Sequence, residues 1–259
     1  MFTLDGQWAF VSGGGRGIGK GCALELARAG ANIVLNDRPD SPDLNDTAAE
    51  IRALGRRCEL APGNVFTRAG CEEIVAQALQ RAGRLDILIS NPAFSRRGSF
   101  LDYDPQLFEQ VIQGTLIAGF NLSQLVARHM VARGGEGKIV FISSVHGEMP
   151  YARSSAYNAA KAGLNHLMRT IATELSGARI NVNGIEPGWI DTPGERATFT
   201  AEMFEKVTPT LPWGRLGTIE DIGRAATFLC SPAADYITGS ILRVDGGFVL
   251  KDCRASENC

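Results

Sequence analysis

The sequence predicts an α/β fold, doubly wound around a seven-stranded parallel sheet, in a single domain. Three observations predict it. Seven short apolar runs alternate with longer stretches of helical periodicity. A glycine-rich turn joins the first strand to the first helix. At 259 residues, with 44% hydrophobic and 21% charged residues, the chain suits one soluble globular unit with a sizeable core.

Taken in order, the run 8–12 reads as a strand, and the turn that follows opens a helix over 17–29. Strands at 33–36, 57–61 and 85–90 are separated by helical patterns at 44–54 and 68–81. A long helical pattern spans 105–133 before a strand at 138–143, and another spans 155–175 before a strand at 179–185. A helix over 219–230 and a strand at 240–244 complete the alternation, which implies right-handed crossovers and a sheet covered on both faces. Residues 193–216 hold three prolines and little periodicity and read as a substrate lid, while 251–259 read as a polar tail after a domain of residues 1–250.

The net charge of −2 offers no basic field for nucleic acid or an anionic membrane, so a small-molecule partner is expected. No run approaches the 18 or so apolar residues of a membrane span, and the N-terminus has no leader pattern, so a cytoplasmic location is expected. Six cysteines without a C-x-x-C pair read as reduced thiols, and three histidines without ligand spacing give no metal site.

Three motifs carry chemistry. Gly13, Gly17 and Gly19, with Gly15, Arg16 and Ile18 between them, follow a strand and open a helix; glycine lets the backbone approach a pyrophosphate while the helix N-terminus supplies N–H donors. Asp37 ends the second strand, where a carboxylate accepts from both hydroxyls of an adenosine ribose and repels a 2′-phosphate, which points to NAD. Arg38 and Arg16 can accommodate such a phosphate, so NADP is not excluded. Tyr157 and Lys161 lie four apart on one helical face behind Ser144, and an ammonium within about 4–6 Å lowers a phenol from its usual value of about 10. The alternative for this last pair is an accidental helical neighbour.

Together with Asn91 and Pro187-Gly188, these residues resemble the short-chain dehydrogenase/reductase family over nearly the whole chain. The resemblance implies a Rossmann-type fold and an enzyme in which Ser144 polarises the substrate oxygen, Tyr157 is the general acid/base, and Lys161 holds the nicotinamide ribose. It implies cofactor contacts at Asn64, Val65, Asn91, Pro92, Pro187, Gly188, Ile190 and Thr192 in addition to the glycine turn and Asp37. Asn64 stands where the family usually has Asp, and Pro92 and Ala93 replace the end of its Asn-Asn-Ala-Gly segment. Thr115 stands where many members carry a catalytic Asn in the proton relay, and it is expected to take that place with a shorter reach.

Phe94, His146 and Trp189, beside Ser144 and Tyr157, are the expected substrate contacts. A secondary alcohol or hemiacetal is expected, with a sugar or polyol favoured, in the manner of glucose 1-dehydrogenases. Two alternatives stand beside it: an NADPH-dependent reductase of 3-oxoacyl thioesters or other ketones, and a non-catalytic NAD-sensing or scaffold protein. A homo-oligomer, tetramer or dimer, built on the long helices is also implied by the resemblance.

Overall fold

The computed structural model describes residues 2–253. Seven strands, β1 (Trp8–Val11), β2 (Asn32–Leu35), β3 (Cys58–Leu60), β4 (Ile87–Ser90), β5 (Gly137–Ile142), β6 (Ile180–Pro187) and β7 (Ile241–Val244), form one sheet in the order 3-2-1-4-5-6-7. Every pairing is parallel, as the strand–helix alternation predicts. The order reverses between β1 and β4, which opens a crevice at the carboxyl ends of those strands.

Alternation along the strands divides the core in two. Ala9 and Val11 of β1, with Ile87 and Ile89 of β4, face a layer that holds α1 (Gly17–Arg28), α2 (Asp43–Ala53) and a later helix, Ile219–Cys230. Trp8, Phe10 and Leu88 face the opposite layer with α3 (Arg68–Ala82) and the long helices that follow. Both layers are apolar because the buried strands offer apolar side chains to each.

The long helical pattern at 105–133 is not one α-helix. It comprises α4 (Pro105–Ile112), a π-helical turn Gln113–Ile117, and α5 (Ala118–Ala132). The next helix, α6 (Ser155–Leu175), buries Ala156, Ala160, Leu164 and Met168 on one stripe and carries Tyr157 and Lys161 at its start. The stretch read as an irregular lid contains two short helices, α7 (Pro193–Thr198) and α8 (Ala201–Val207), whose first turns are capped by the hydroxyls of Thr192 and Thr200. Helix α9 (Ile219–Cys230) begins with a reciprocal capping box between Thr218 and Asp221.

Helices α1 and α9 approach closely through glycines: a Cβ on Gly21 would lie 2.3 Å from the Ile219 carbonyl oxygen, and one on Gly223 would lie 2.4 Å from that of Gly21. Cys22, Cys58, Cys71 and Cys230 are buried free thiols and Cys253 is an exposed one; Cys259 lies outside the described residues, as does most of the stretch read as a tail. Burial pushes the Cys22 and Cys58 thiols up to about 12. Among the described residues no helix is long and apolar enough to cross a membrane, and no group of three or more His, Cys, Asp or Glu side chains is placed to hold a metal.

Candidate active site

At the carboxyl end of β1 the chain turns through Gly13 and Gly17, which adopt φ values of 61° and 56° that disfavour other residues. The turn is held from below: Gly14 N–H donates to the Asn36 carbonyl at 2.8 Å, and the Thr47 hydroxyl donates to the Gly15 carbonyl at 2.6 Å. Gly15 N–H donates to Asp37 Oδ2 at 3.1 Å, and Arg38 N–H donates to Oδ1 at 2.8 Å. The Asp37 carboxylate is therefore fixed beside the turn. A Cβ on Gly15 would come within 2.5 Å of Asp37, and one on Gly19 within 2.0 Å of the Gly13 carbonyl. Among the described residues no side chain caps the first turn of α1, so its N–H groups remain for a ligand anion.

Asn91 closes the crevice between β1 and β4. Its N–H donates to Ser12 Oγ at 2.8 Å, and its Nδ2 donates to the Ser12 carbonyl at 3.3 Å. Pro92 is buried behind it. Arg16 and Arg38 are exposed, and Arg16 lies 3.9 Å from Asp43. Asn64 is exposed too, and its Oδ1 accepts from Phe66 N–H at 2.9 Å, so this amide shapes its own turn. Val65 packs on the core, and its carbonyl accepts from Cys71 Sγ.

Ser144 leaves the carboxyl end of β5 and heads a short 3-10 turn, Val145–Gly147, where its Oγ accepts from His146 N–H at 3.2 Å. Tyr157, in the first turn of α6, lies beside Ser144. Lys161 is 2% exposed; its Nζ donates to the Ile142 carbonyl at 2.8 Å and stands 5.5 Å from the centre of the Tyr157 ring. The three side chains meet as the sequence predicts, but the predicted electrostatics do not follow. Burial pushes the Tyr157 phenol up to about 12, although the neighbouring Ser144 opposes it, and burial brings the Lys161 ammonium down to about 7. In the protein alone desolvation is the dominant cause for both groups.

Two expected site residues are elsewhere. Thr115 is fully buried in the π-helical turn, where its hydroxyl accepts from Phe94 N–H and donates to the Phe94 carbonyl, both at 3.1 Å. Its one proton is committed to the Phe94 carbonyl, so in this structure Thr115 clamps the exit of strand β4 and donates to no group of the cavity. The clamp turns Phe94 away as well: its ring meets Phe66 edge-on at 6.1 Å, outside the substrate cavity.

That cavity, about 600 Å³, lies beyond the carboxyl ends of β5 and β6. Ser144, Tyr157, His146 and Trp189 line it together with Pro187, Gly188, Ile190 and Thr192. Ile18, from the first turn of α1, reaches the same cavity, so the glycine turn and the Ser144–Tyr157 pair border one space. Trp189 packs on Phe199 and Phe204 of the 193–216 segment, and its Nε1 donates to Glu195 at 2.8 Å.

Sequence reasoning missed three supports. Asn158, the neighbour of Tyr157, holds His146 Nδ1 at 2.8 Å and donates to the Tyr151 carbonyl at 2.9 Å. Glu186, fully buried, accepts from Asn165 Nδ2 at 2.7 Å and pairs with Arg243, which also pairs with Glu148. Burial pushes the Glu186 carboxyl up, against the pull of Asn165 and Arg243. Tyr151 lines the cavity, and its phenol oxygen is buried with no hydrogen-bond partner among the described residues. Glu186 stands one residue beyond the strand read at 179–185, which left its place in the network unmarked in the sequence.

A family model described as enoyl-(acyl carrier protein) reductase matches residues 13–249. The 7alpha-hydroxysteroid dehydrogenase of Escherichia coli (strain K12) is 36% identical over 95% of both chains. The crystal structure of a short-chain type dehydrogenase/reductase from Mycobacterium marinum superposes with a TM-score of 0.90, at 30% identity, over 95% of this chain and 97% of that one. That of a gluconate 5-dehydrogenase from Burkholderia cenocepacia J2315, in complex with NADP and tartrate, does so with a TM-score of 0.88, at 34% identity, over 96% and 97%. The chain belongs to the short-chain dehydrogenase/reductase family and is an enzyme acting on CH–OH groups.

The glycine cradle and the uncapped first turn of α1 fit a dinucleotide pyrophosphate, and the fixed Asp37 carboxylate fits an adenosine ribose.

Proposed function

We propose that this enzyme is an NAD-dependent dehydrogenase that interconverts a secondary alcohol or hemiacetal and its carbonyl, with a sugar or polyol as substrate. The observation that carries the reading is that Ser144 and Tyr157 line one cavity with Ile18 of the glycine turn. Asp37 supports NAD, because its carboxylate is pinned by two backbone N–H groups and would face a 2′-phosphate at close range.

The nicotinamide, when bound, supplies the hydride acceptor or donor. Ser144 Oγ donates to the substrate oxygen and orients it toward Tyr157. In the oxidative direction Tyr157 as phenolate removes the hydroxyl proton; in the reductive direction the neutral phenol returns it. Lys161, anchored on the Ile142 carbonyl, retains donors for a ribose hydroxyl. Trp189, Phe199 and Phe204 exclude water from one side of the cavity. Self-association belongs to the same proposal, since Phe108, Ile117, Phe120 and Val131 leave apolar surface exposed along α4 and α5.

A dehydrogenase screen tests the reading: reduced-cofactor absorbance is followed with NAD and NADP against sugars, polyols, hydroxysteroids and hydroxyacyl thioesters. The expected result is turnover of a polyhydroxylated alcohol with NAD preferred. Faster reduction of acetoacetyl thioester with NADPH than of any sugar with NAD would contradict it.

A further inference from the structure

The outer half of the cavity carries three polar groups that the hydride chemistry leaves unused. His146 stacks on Tyr151 with ring centres 4.4 Å apart and nearly parallel planes, and it meets Tyr157 edge-on at 5.3 Å. Asn158 fixes the state of this stack. Because Asn158 Nδ2 donates to the Tyr151 carbonyl, its Oδ1 is the atom facing His146, so His146 Nδ1 must carry the proton and donate. Burial, together with the charges of Arg97 and Lys161, pushes the imidazole below its usual value, against the Asn158 bond. Its Nε2 is thereby left as an acceptor with no partner among the described residues.

The Tyr151 hydroxyl complements it. This oxygen is buried and has no hydrogen-bond partner among the described residues, and burial raises the phenol, so it is a neutral donor. An unpaired donor there costs stability unless a ligand meets it.

The third group is Arg97. Its guanidinium lies 4.9 Å over the Phe199 ring and makes no hydrogen bond or ion pair among the described residues. It acts electrostatically on both His146 and Tyr151. Arg96 and Lys251 add positive charge to the same cavity wall. Against them stand Glu195, whose carboxylate accepts from Trp189, and Asp252, which acts on Tyr151.

We propose that the outer cavity is a receptor for a polyhydroxylated carboxylic acid: His146 Nε2 accepts from a substrate hydroxyl, the Tyr151 phenol donates to a neighbouring oxygen, and Arg97 pairs with the carboxylate. The inference rests on the alcohol dehydrogenase reading and narrows its substrate to sugar acids over neutral sugars. A planar guanidinium suits a carboxylate because two N–H groups meet two oxygens.

The test compares kcat/KM for six-carbon aldonates with that for the alditols that differ only in bearing –CH2OH in place of the carboxylate. The wild type is expected to prefer the acids about tenfold or more, a preference that falls as ionic strength rises. Arg97→Gln is expected to bring the ratio near one, and Tyr151→Phe to lower kcat/KM on the acids about tenfold. A wild-type ratio at or below one, or a ratio that Arg97→Gln leaves intact, overturns the receptor. If simple secondary alcohols are oxidised but neither acids nor alditols are, the receptor falls and the dehydrogenase reading stands. If no alcohol of any kind is oxidised, the dehydrogenase reading falls, and calorimetric titration with D-gluconate decides the receptor separately: binding lost in Arg97→Gln upholds it, and no binding overturns it.

Discussion

Two desolvated groups in this site, Tyr157 on the cavity wall and the buried Lys161, have their proton affinities moved in opposite senses by one cause. Desolvation raises the Tyr157 phenol to about 12 and lowers Lys161 to about 7. The direction of the first fixes a pH dependence. Oxidation needs the phenolate, whose fraction grows as pH rises toward the pKa, whereas reduction uses the phenol that is present throughout the neutral range. Rate profiles in both directions are therefore expected to differ: oxidation climbs from neutral to alkaline pH and reduction stays nearly level. An oxidation optimum in acid would contradict the assignment of Tyr157. At this scale the sequence revealed the side chains but not their charge states, because desolvation depends on what covers a group and not on its neighbours along the chain. Thr115 makes the same point, since its spacing matched a relay residue while its hydroxyl is committed to Phe94 on both sides. Thr115→Val keeps the shape and leaves the Phe94 N–H and carbonyl without partners, so a loss of about 2 kcal/mol in denaturant unfolding is expected, with the pH profile unmoved. A shifted pH profile would restore Thr115 to the relay.

Elements were the most legible part of the chain. All seven strands lie within the predicted runs or a few residues of them, because period-2 burial on a two-faced sheet leaves dense apolar runs. The helix predicted over 105–133 shows where this reading stops: a π-helical turn at Gln113–Ile117 keeps helical spacing of apolar residues on both sides and leaves no mark in the pattern. The lid segment differs for another reason, as α7 and α8 are too short to establish periodicity, although Thr192 and Thr200 stand as caps before them. The turn after Ser144 rests on the Asn165–Glu186–Arg243 network, which joins α6, β6 and β7 across the sequence. A Cβ on Gly147 would lie 2.4 Å from Asn165 Nδ2 and 3.3 Å from Glu186 Oε1. Gly147→Ala is expected to displace the Ser144 turn and reduce kcat by about tenfold or more while reduced-cofactor affinity, measured by fluorescence titration, holds. An unchanged kcat would show that the turn tolerates the shift.

For the whole molecule, doubly wound topology brings the ends of β1, β2, β4, β5 and β6 to one edge, so that residues as distant as Gly17 and Thr192 border one crevice. The glycine turn and the Tyr157–Lys161 spacing announced that edge in the sequence, and His146 was expected at the substrate; that His146 and Tyr151 meet Arg97 did not show, since two loops must fold before they come together. Leu164 proves to be core, whereas Phe108, Phe120 and Val131 stay exposed on α4 and α5. Light scattering is expected to find a homo-oligomer, and a monomer at micromolar concentration would contradict the proposed self-association. The central claim, that Tyr157 moves the proton while the rest of the crevice binds the cofactor, is tested most directly by the turnover number of Tyr157→Phe at cofactor saturation. A fall of about a thousandfold with reduced-cofactor affinity preserved is the expected result, and turnover within a few fold of the wild type would contradict the mechanism.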